Sequence, residues 1–223
     1  MSSISVAGDT SGSITLVAPA VAGSSVLTLP VATDTLVGKA TTDTLTNKTL
    51  TSPTITGAVV SAMGSSILIS GTAVASTSGT SIDFTGIPSW AKRITVMFNG
   101  VSTNGASVVQ AQIGNGSVIS TGYANYTTAS AGTISTISLT TGIALNTVGN
   151  SAAVCMYYGN ISFTLITANT WVSNFVLGVY ATNYTSTSGG GSLALSGALD
   201  RVRITTVNGT DTFDAGSINI MYE

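Results

Sequence analysis

Two aspartates near the end of the chain, Asp211 and Asp214, are close enough in sequence to form a pair of catalytic carboxylates. Glycoside hydrolysis needs two such groups, one on each side of the bond that is broken. Both residues, however, follow Asn208-Gly209, a dipeptide typical of a tight hairpin turn, where aspartate side chains commonly cap the backbone. We therefore interpret the pair as turn residues, and we predict no catalytic residue in the chain.

Three tyrosines are the candidates for contact with a ligand: Tyr123, Tyr126 and Tyr184. Each lies in a segment rich in Thr, Asn or Gly, a composition that predicts an exposed loop. An exposed tyrosine offers an apolar ring for stacking on a sugar, and neighbouring Asn and Thr side chains supply hydrogen bonds. We predict that these tyrosines contact a receptor. The alternative is that they pack at a subunit contact or at a strand end.

Arg201 and Arg203 are two residues apart, so they share one face if they lie on a strand. They could bind an acidic glycan. The interpretation we favour is a solvated face, or an ion pair with Asp83 or Asp200 across an interface. The chain has only six Lys and Arg residues and a net charge of −2. Such a charge distribution predicts no nucleic-acid partner.

The composition excludes several classes of site. Charged residues make up 6% of the 223 residues, whereas soluble domains average about 25%, and 68 residues are Ser or Thr. There is no histidine, and Cys155 is the single cysteine. The chain therefore lacks the usual ligands of zinc and haem sites. Acid–base catalysis by histidine and a disulfide bond within the chain are also excluded. We predict a protein that is not an enzyme and binds no metal or cofactor.

Apolar residues make up 43% of the chain but occur in short runs, which predicts no transmembrane helix and no membrane insertion. The first residues lack the basic and apolar regions of a secretory signal. High apolarity with few charges indicates burial between chains, as in obligate oligomers.

The abundance of Thr, Val and Ile, with few Glu, Lys, Arg or Gln, predicts an all-β protein. Residues 1–64 contain three of the four prolines and no aromatic residue, and they repeat short apolar strands at 13–20 and 26–32. This pattern predicts an extended, intertwined shaft or attachment segment in which neighbouring copies supply contacts. The alternative is a disordered Ser/Thr-rich linker.

Residues 65–223 contain about ten predicted short strands with turn residues between them, including 153–158, 171–180 and 193–195. The pattern predicts an antiparallel β-sandwich, jelly-roll-like, which would be the receptor-binding domain. Within it we interpret Asn99-Gly100 as a turn and Gly189-Gly190-Gly191 as a flexible loop. We expect Cys155 to be buried, and the two tryptophans, Trp90 and Trp171, to lie in the core or an interface.

Several segments resemble bacteriophage tail-fibre and virion structural proteins. Residues 12–20 followed by 27–30 resemble a repeat near the start of many such proteins, and the idiosyncratic run 42–55 resembles another of their elements. Residues 199–220 resemble the end of many tail-fibre-like proteins, and residues 84–90 resemble another part. The resemblance implies a homotrimeric fibre on the exterior of a phage tail or capsid. It also implies that the N-terminal segment binds other virion proteins.

The function expected from these observations is attachment of a phage to a glycan or protein on the host surface. Three rivals remain open. They are a head fibre, capsid decoration or adaptor protein of the virion, a polysaccharide depolymerase, and a bacterial surface adhesin.

Overall fold

The computed structural model describes residues 3–7, 10–17, 20, 21, 24, 49, 51, 68–181 and 184–223. The chain divides into two units, Met1–Val59 and Val60–Glu223. Every strand pair in the described segments is antiparallel, and the only helix among them is a 3-10 turn at Val148–Asn150. The all-β class predicted from the composition is confirmed. No helix within these segments has the length and apolarity needed to cross a membrane.

The first unit contains a two-stranded sheet formed by β1 (Ser3–Ala7) and β2 (Ser13–Val17). Ile4 and Val6 of β1 are 67% and 59% exposed. A sheet of two short strands is marginally stable by itself, because it has no second layer against which to bury its apolar side chains. The predicted repeat at 26–32 lies outside the described residues, as does nearly all of the run 42–55. The intertwined shaft stays a prediction.

Two open sheets make up the described part of the second unit. The smaller sheet has five strands: β5 (Ser81–Thr85), β7 (Val109–Asn115), β8 (Ser117–Val118), β11 (Ile143–Ala144) and β15 (Arg201–Thr206). The larger has nine: β3 (Ile69–Ser70), β4 (Val74–Ala75), β6 (Arg93–Thr103), β9 (Ala124–Ala131), β10 (Thr133–Ile137), β12 (Met156–Thr167), β13 (Thr170–Tyr180), β14 (Tyr184–Ala194) and β16 (Phe213–Tyr222). The strand order is β11-β7-β15-β5 in the small sheet, with β8 beside β7. It is β10-β9-β14-β13-β12-β6-β16-β3 in the large sheet, with β4 also beside β16.

A single hydrophobic cluster draws on both sheets. It includes Ile94 of β6, Phe163 of β12 and Ile204 of β15, all almost completely buried. Alternation along most strands directs one set of side chains into this cluster and the other set to solvent. Strand β7 is the exception, since it is buried on both faces. Trp171 and Cys155 are buried as expected. Trp90 is not in the core: it is 44% exposed and packs against the ring of Tyr222 at a centroid distance of 5.8 Å.

The prediction of a flexible loop at Gly189-Gly190-Gly191 is wrong. These glycines lie in the middle of β14, which pairs with β13 on one side and β9 on the other. A Cβ atom on Gly190 would lie 2.5 Å from the carbonyl oxygen of Ser173, and one on Gly191 would lie 2.5 Å from that of Ala124. The missing side chains therefore allow close approach of the neighbouring strands rather than backbone mobility.

Two predicted turns also differ from the structure. Gly100 lies inside β6 with φ 65°, where the pairing with β12 changes register, so Asn99-Gly100 forms a β-bulge. Asn208-Gly209 does form a turn, with φ 67° at Gly209, but it joins strands of different sheets. The predicted hairpin is therefore wrong. Periodicity along the chain identifies strands but not which sheet each one joins.

Candidate ligand-binding groove

The outer face of the large sheet is built from the solvent-directed side chains of its central strands. The register places Tyr158 of β12 beside Gly178 of β13, Gly178 beside Ser186 of β14, and Ser186 beside Ser130 of β9. A second row of outward residues runs parallel to this one: Asn160, Val176, Ser188 and Thr128. None of these side chains is charged, so this part of the face can bind a ligand only through apolar contacts and neutral hydrogen bonds.

A groove of about 740 Å³ crosses this face at the end of β13 and the start of β14. We call it the tyrosine groove and define it by Ser130, Tyr158, Gly178, Tyr180, Tyr184 and Ser186. Its lining is completed by Val179 and Thr185, so no described residue that lines it carries a charge. Its volume falls within the range of pockets that hold small ligands.

The walls of the tyrosine groove are the three aromatic side chains. Tyr180 and Tyr184 lie opposite each other in the β13–β14 ladder, with ring centroids 5.3 Å apart and planes inclined by 56°. Tyr158 borders Gly178 from the other side, and its hydroxyl lies 3.7 Å from the sulfur of Met156. Tyr158 and Tyr180 are nearly half exposed and Tyr184 is 82% exposed. Aromatic surface is therefore presented to solvent around an open centre.

Gly178 forms the floor of the groove. A Cβ atom built on it would meet nothing within 4 Å, and its backbone is not in the left-handed region. The backbone would therefore accept any residue other than proline at this position. The glycine leaves space between Tyr158 and Ser186 that a side chain would otherwise fill.

The structure places the three predicted tyrosines differently. Tyr184 lies in the tyrosine groove, and Tyr126 is 58% exposed on the same outer face, opposite Gly190. Tyr126 is four residues from Ser130 along β9, a distance of about 13 Å at the usual rise of a strand. Both residues lie on strands rather than in the predicted loops. Their contact with a receptor stays a prediction.

The expectation that Tyr123 is exposed is wrong. Its side chain is 3% exposed, and its hydroxyl accepts a hydrogen bond from the backbone N–H of Ile113 at 2.7 Å. The same hydroxyl lies within donating distance of the carbonyl oxygens of Ile113 and Ile119. Burial raises the pKa of Tyr123 well above its ordinary value. Tyr123 thus stabilises the β7–β8 connection instead of facing a ligand.

Tyr158, Tyr180 and Gly178 were missed as site residues, although the segments that contain Tyr158 and Tyr180 were predicted to be strands. The available signal was the alternation from Trp171 to Tyr180, which places Asn174, Val176, Gly178 and Tyr180 on one face. The strand order of the sheet, which brings Tyr158 beside Gly178, cannot be obtained from alternation.

A second depression lies on the same sheet, around the ion pair of Arg93 and Glu223. It has a volume of about 450 Å³ and is lined mainly by polar side chains, including Asn160, Ser162 and Asn174. Its two charged groups neutralise each other, and backbone hydrogen bonds join the same two residues. The depression lies across the neighbouring strands β13, β12, β6 and β16, inside the sheet rather than at its edge.

The clustered charges of the small sheet have structural partners. Arg203 forms a two-point ion pair with Asp83 on the adjacent strand, at 2.6 and 2.9 Å. Arg201 pairs with its neighbour Asp200, and the hydrogen bond from Arg201 is the main cause that lowers the pKa of Asp200. The predicted pairing with Asp83 and Asp200 is confirmed, but the contacts lie within one chain rather than across an interface.

Asp211 and Asp214 also have structural partners. Asp211 accepts hydrogen bonds from the side chain of Asn208 at 2.6 Å and from the backbone N–H of Ser107 at 2.9 Å. Asp214 accepts one from the hydroxyl of Ser102. The contacts of Asp211 hold the turn between β15 and β16, as the sequence interpretation proposed. Asp214 lies inside β16 and contacts Ser102 of β6, so its assignment to the turn is wrong. Across the described segments, no three His, Cys, Asp or Glu residues lie close enough together to hold a metal ion.

Comparison with known proteins gives no match: no family model, no curated protein and no solved structure is significantly similar to this chain.

Proposed function

We propose that this chain is a structural fibre protein of a bacteriophage virion that attaches to the host surface through its second unit. The observation that carries the attachment role is the tyrosine groove, whose described lining residues are all uncharged. Exposed aromatic rings around an open floor are a recurrent basis for ligand contact. The virion assignment is supported by the sequence resemblances at residues 12–30, 42–55, 84–90 and 199–220.

We propose that the fibre is a homotrimer, with the first unit bound to other virion proteins. The exposed apolar side chains of the β1–β2 sheet, including Ile4 and Val6, support this arrangement because a partner could cover them. Two sheets that share one hydrophobic cluster support a jelly-roll-like sandwich as the finer fold. Three copies of the groove on one fibre would combine weak contacts into strong attachment.

A non-enzymatic role is part of the proposal. The depolymerase alternative needs two carboxyl groups free to act on a glycosidic bond. Asp211 and Asp214 are instead hydrogen-bonded to Asn208, Ser107 and Ser102.

The test uses the full-length protein. Light scattering measures its mass, and a fluorescently labelled sample is then applied to a panel of bacterial strains. We expect a trimer that labels some strains and blocks phage adsorption to those strains. A folded monomer would contradict the trimer. The attachment role would be contradicted if the protein neither labelled nor protected the strains that are infected by phage particles carrying it. Immunogold labelling of those particles separates a tail fibre from a head fibre.

A further inference from the structure

We infer that the tyrosine groove binds an uncharged pyranose ring of a surface glycan, with Gly178 as the residue that makes room for it. This inference rests on the proposed attachment function and names the ligand class of its site.

The absence of a side chain at Gly178 is the first observation. Glycine in the interior of a strand is destabilising, since it contributes no packing and loses more backbone entropy on folding. Elsewhere on the same sheet a steric reason is present, as at Gly190, where a Cβ would lie 2.5 Å from a carbonyl oxygen. At Gly178 a Cβ would meet nothing within 4 Å. Folding does not require this glycine, whereas the open floor of the groove does.

The arrangement around Gly178 is the second observation. Tyr158 flanks it on one adjacent strand and Ser186 on the other, and Tyr180 follows two residues later on the same face. A pyranose ring has an apolar C–H face, which packs on aromatic rings, and an equatorial rim of hydroxyl groups. The rings of Tyr158, Tyr180 and Tyr184 supply the first kind of contact. The hydroxyls of Ser130, Ser186 and the tyrosines supply partners for the second.

The charge of the groove is the third observation, and it selects among sugars. No described residue that lines the groove is charged. A sialic acid or uronic acid would place its carboxylate where no cation compensates for lost hydration. The groove therefore favours neutral hexoses and N-acetylhexosamines over acidic sugars.

The test measures binding of the full-length protein to an array of neutral and acidic oligosaccharides. Saturation-transfer NMR then tests binding in solution, with methyl glucoside, methyl galactoside, N-acetylglucosamine and glucuronic acid as the ligands. The variants are Gly178→Val, which fills the floor, and Tyr184→Ala, which removes a wall. Ile166→Ala is the control, because it removes an exposed apolar side chain of the same sheet that does not line the groove.

We expect neutral glycans to bind, and each groove variant to lower the affinity at least about tenfold, equal to about 1.4 kcal/mol. The melting temperature of Gly178→Val should not fall, since a β-branched residue suits an open strand position. Ile166→Ala should bind like the unmodified protein. Unchanged binding by Gly178→Val would overturn the groove as the site, and stronger binding of glucuronic acid than of neutral sugars would overturn the ligand class.

The outcomes also separate this inference from the proposed function. The protein could label host cells but bind no glycan, or bind only a surface protein. Either result would overturn the inference and leave the attachment function intact. Failure to bind both cells and glycans would overturn both.

Discussion

The hydroxyl of Tyr123 lies 2.7 Å from the backbone nitrogen of Ile113, inside the core and ten residues away along the chain. This contact fixes the end of β7 where the chain turns into β8. A residue that the sequence presents as a surface tyrosine is therefore a structural element of the small sheet.

Replacement of Tyr123 by Phe should destabilise the protein without affecting attachment. The variant leaves the buried N–H of Ile113 without its acceptor, and an unsatisfied buried donor costs about 1–3 kcal/mol. Urea denaturation of the full chain measures the effect, with Tyr126→Phe as the control at an exposed position. Equal stability of the two variants would contradict the structural role.

The glycines of β13 and β14 should respond in opposite ways to an added methyl group. Gly190→Ala should lower the free energy of unfolding by about 1–3 kcal/mol, because the new Cβ overlaps the carbonyl oxygen of Ser173. Gly178→Ala should be neutral or stabilising, since its Cβ enters open space. Thermal denaturation of the two variants side by side checks the prediction. A larger loss for Gly178→Ala than for Gly190→Ala would refute it.

The ion pair of Arg203 and Asp83 should contribute little to stability. Both side chains are partly exposed, and pairs of this kind contribute about 0–1 kcal/mol despite good geometry. A double-mutant cycle with Arg203→Met and Asp83→Asn measures the coupling, which should decrease in high salt. Loss of cell attachment in Arg203→Met, with stability retained, would instead favour the acidic-glycan interpretation of this arginine.

Stability should fall as the pH rises above about 10. Burial raises the pKa of Tyr157 from 10.0 to about 12, with a hydrogen bond from Asn146 acting in the opposite direction. Below pH 10 the phenol is protonated in both the folded and the unfolded state. Between the two pKa values only the unfolded chain loses this proton, so each such group lowers stability by up to about 1.4 kcal/mol per pH unit.

Tyr157→Phe should reduce that slope, because phenylalanine has no proton to release. Denaturant titrations of both proteins at several alkaline pH values give the comparison. Identical slopes for the variant and the unmodified protein would show that Tyr157 does not carry the effect.

The strand content could be predicted from the sequence because β-branched residues and alternation report directly on local backbone and burial. The 171–180 strand is the clearest case, and its prediction agrees with β13 to within one residue. Strand β14 is largely missed by the sequence prediction, because three consecutive glycines have the composition of a loop. The structure explains these glycines by the close spacing of the neighbouring strands, which leaves no room for side chains. Information of that kind is tertiary.

The candidate site was only partly predictable for the same reason. Tyr184 could be found because its segment has the Thr- and Asn-rich composition of an exposed loop, and Tyr123 was misassigned because its segment has a similar composition. Gly178 opens the groove, but no pattern in the neighbouring sequence identifies it. Its role follows from the folded structure, where a Cβ atom added at this position would meet no other atom within 4 Å. Pairing of β12 with β13 brings Tyr158 to it, and that register is set by the assembled sheet.

The attachment of β3 and β4 to the edge of the large sheet has a mechanical consequence. Each of these strands pairs with β16 through two residues only, at Ile69–Ser70 and Val74–Ala75, whereas the tyrosine groove lies further across the sheet on β12, β13 and β14. Tension between a ligand in the groove and the chain before residue 68 would load these short ladders in series with the ligand contacts, and ladders of two residues would be the weaker part of the sheet. Release of residues 68–75 adds about 26 Å of slack at the extension of a strand. Release of the sheet edge would thus lengthen the chain under load and limit the peak force on a ligand in the groove.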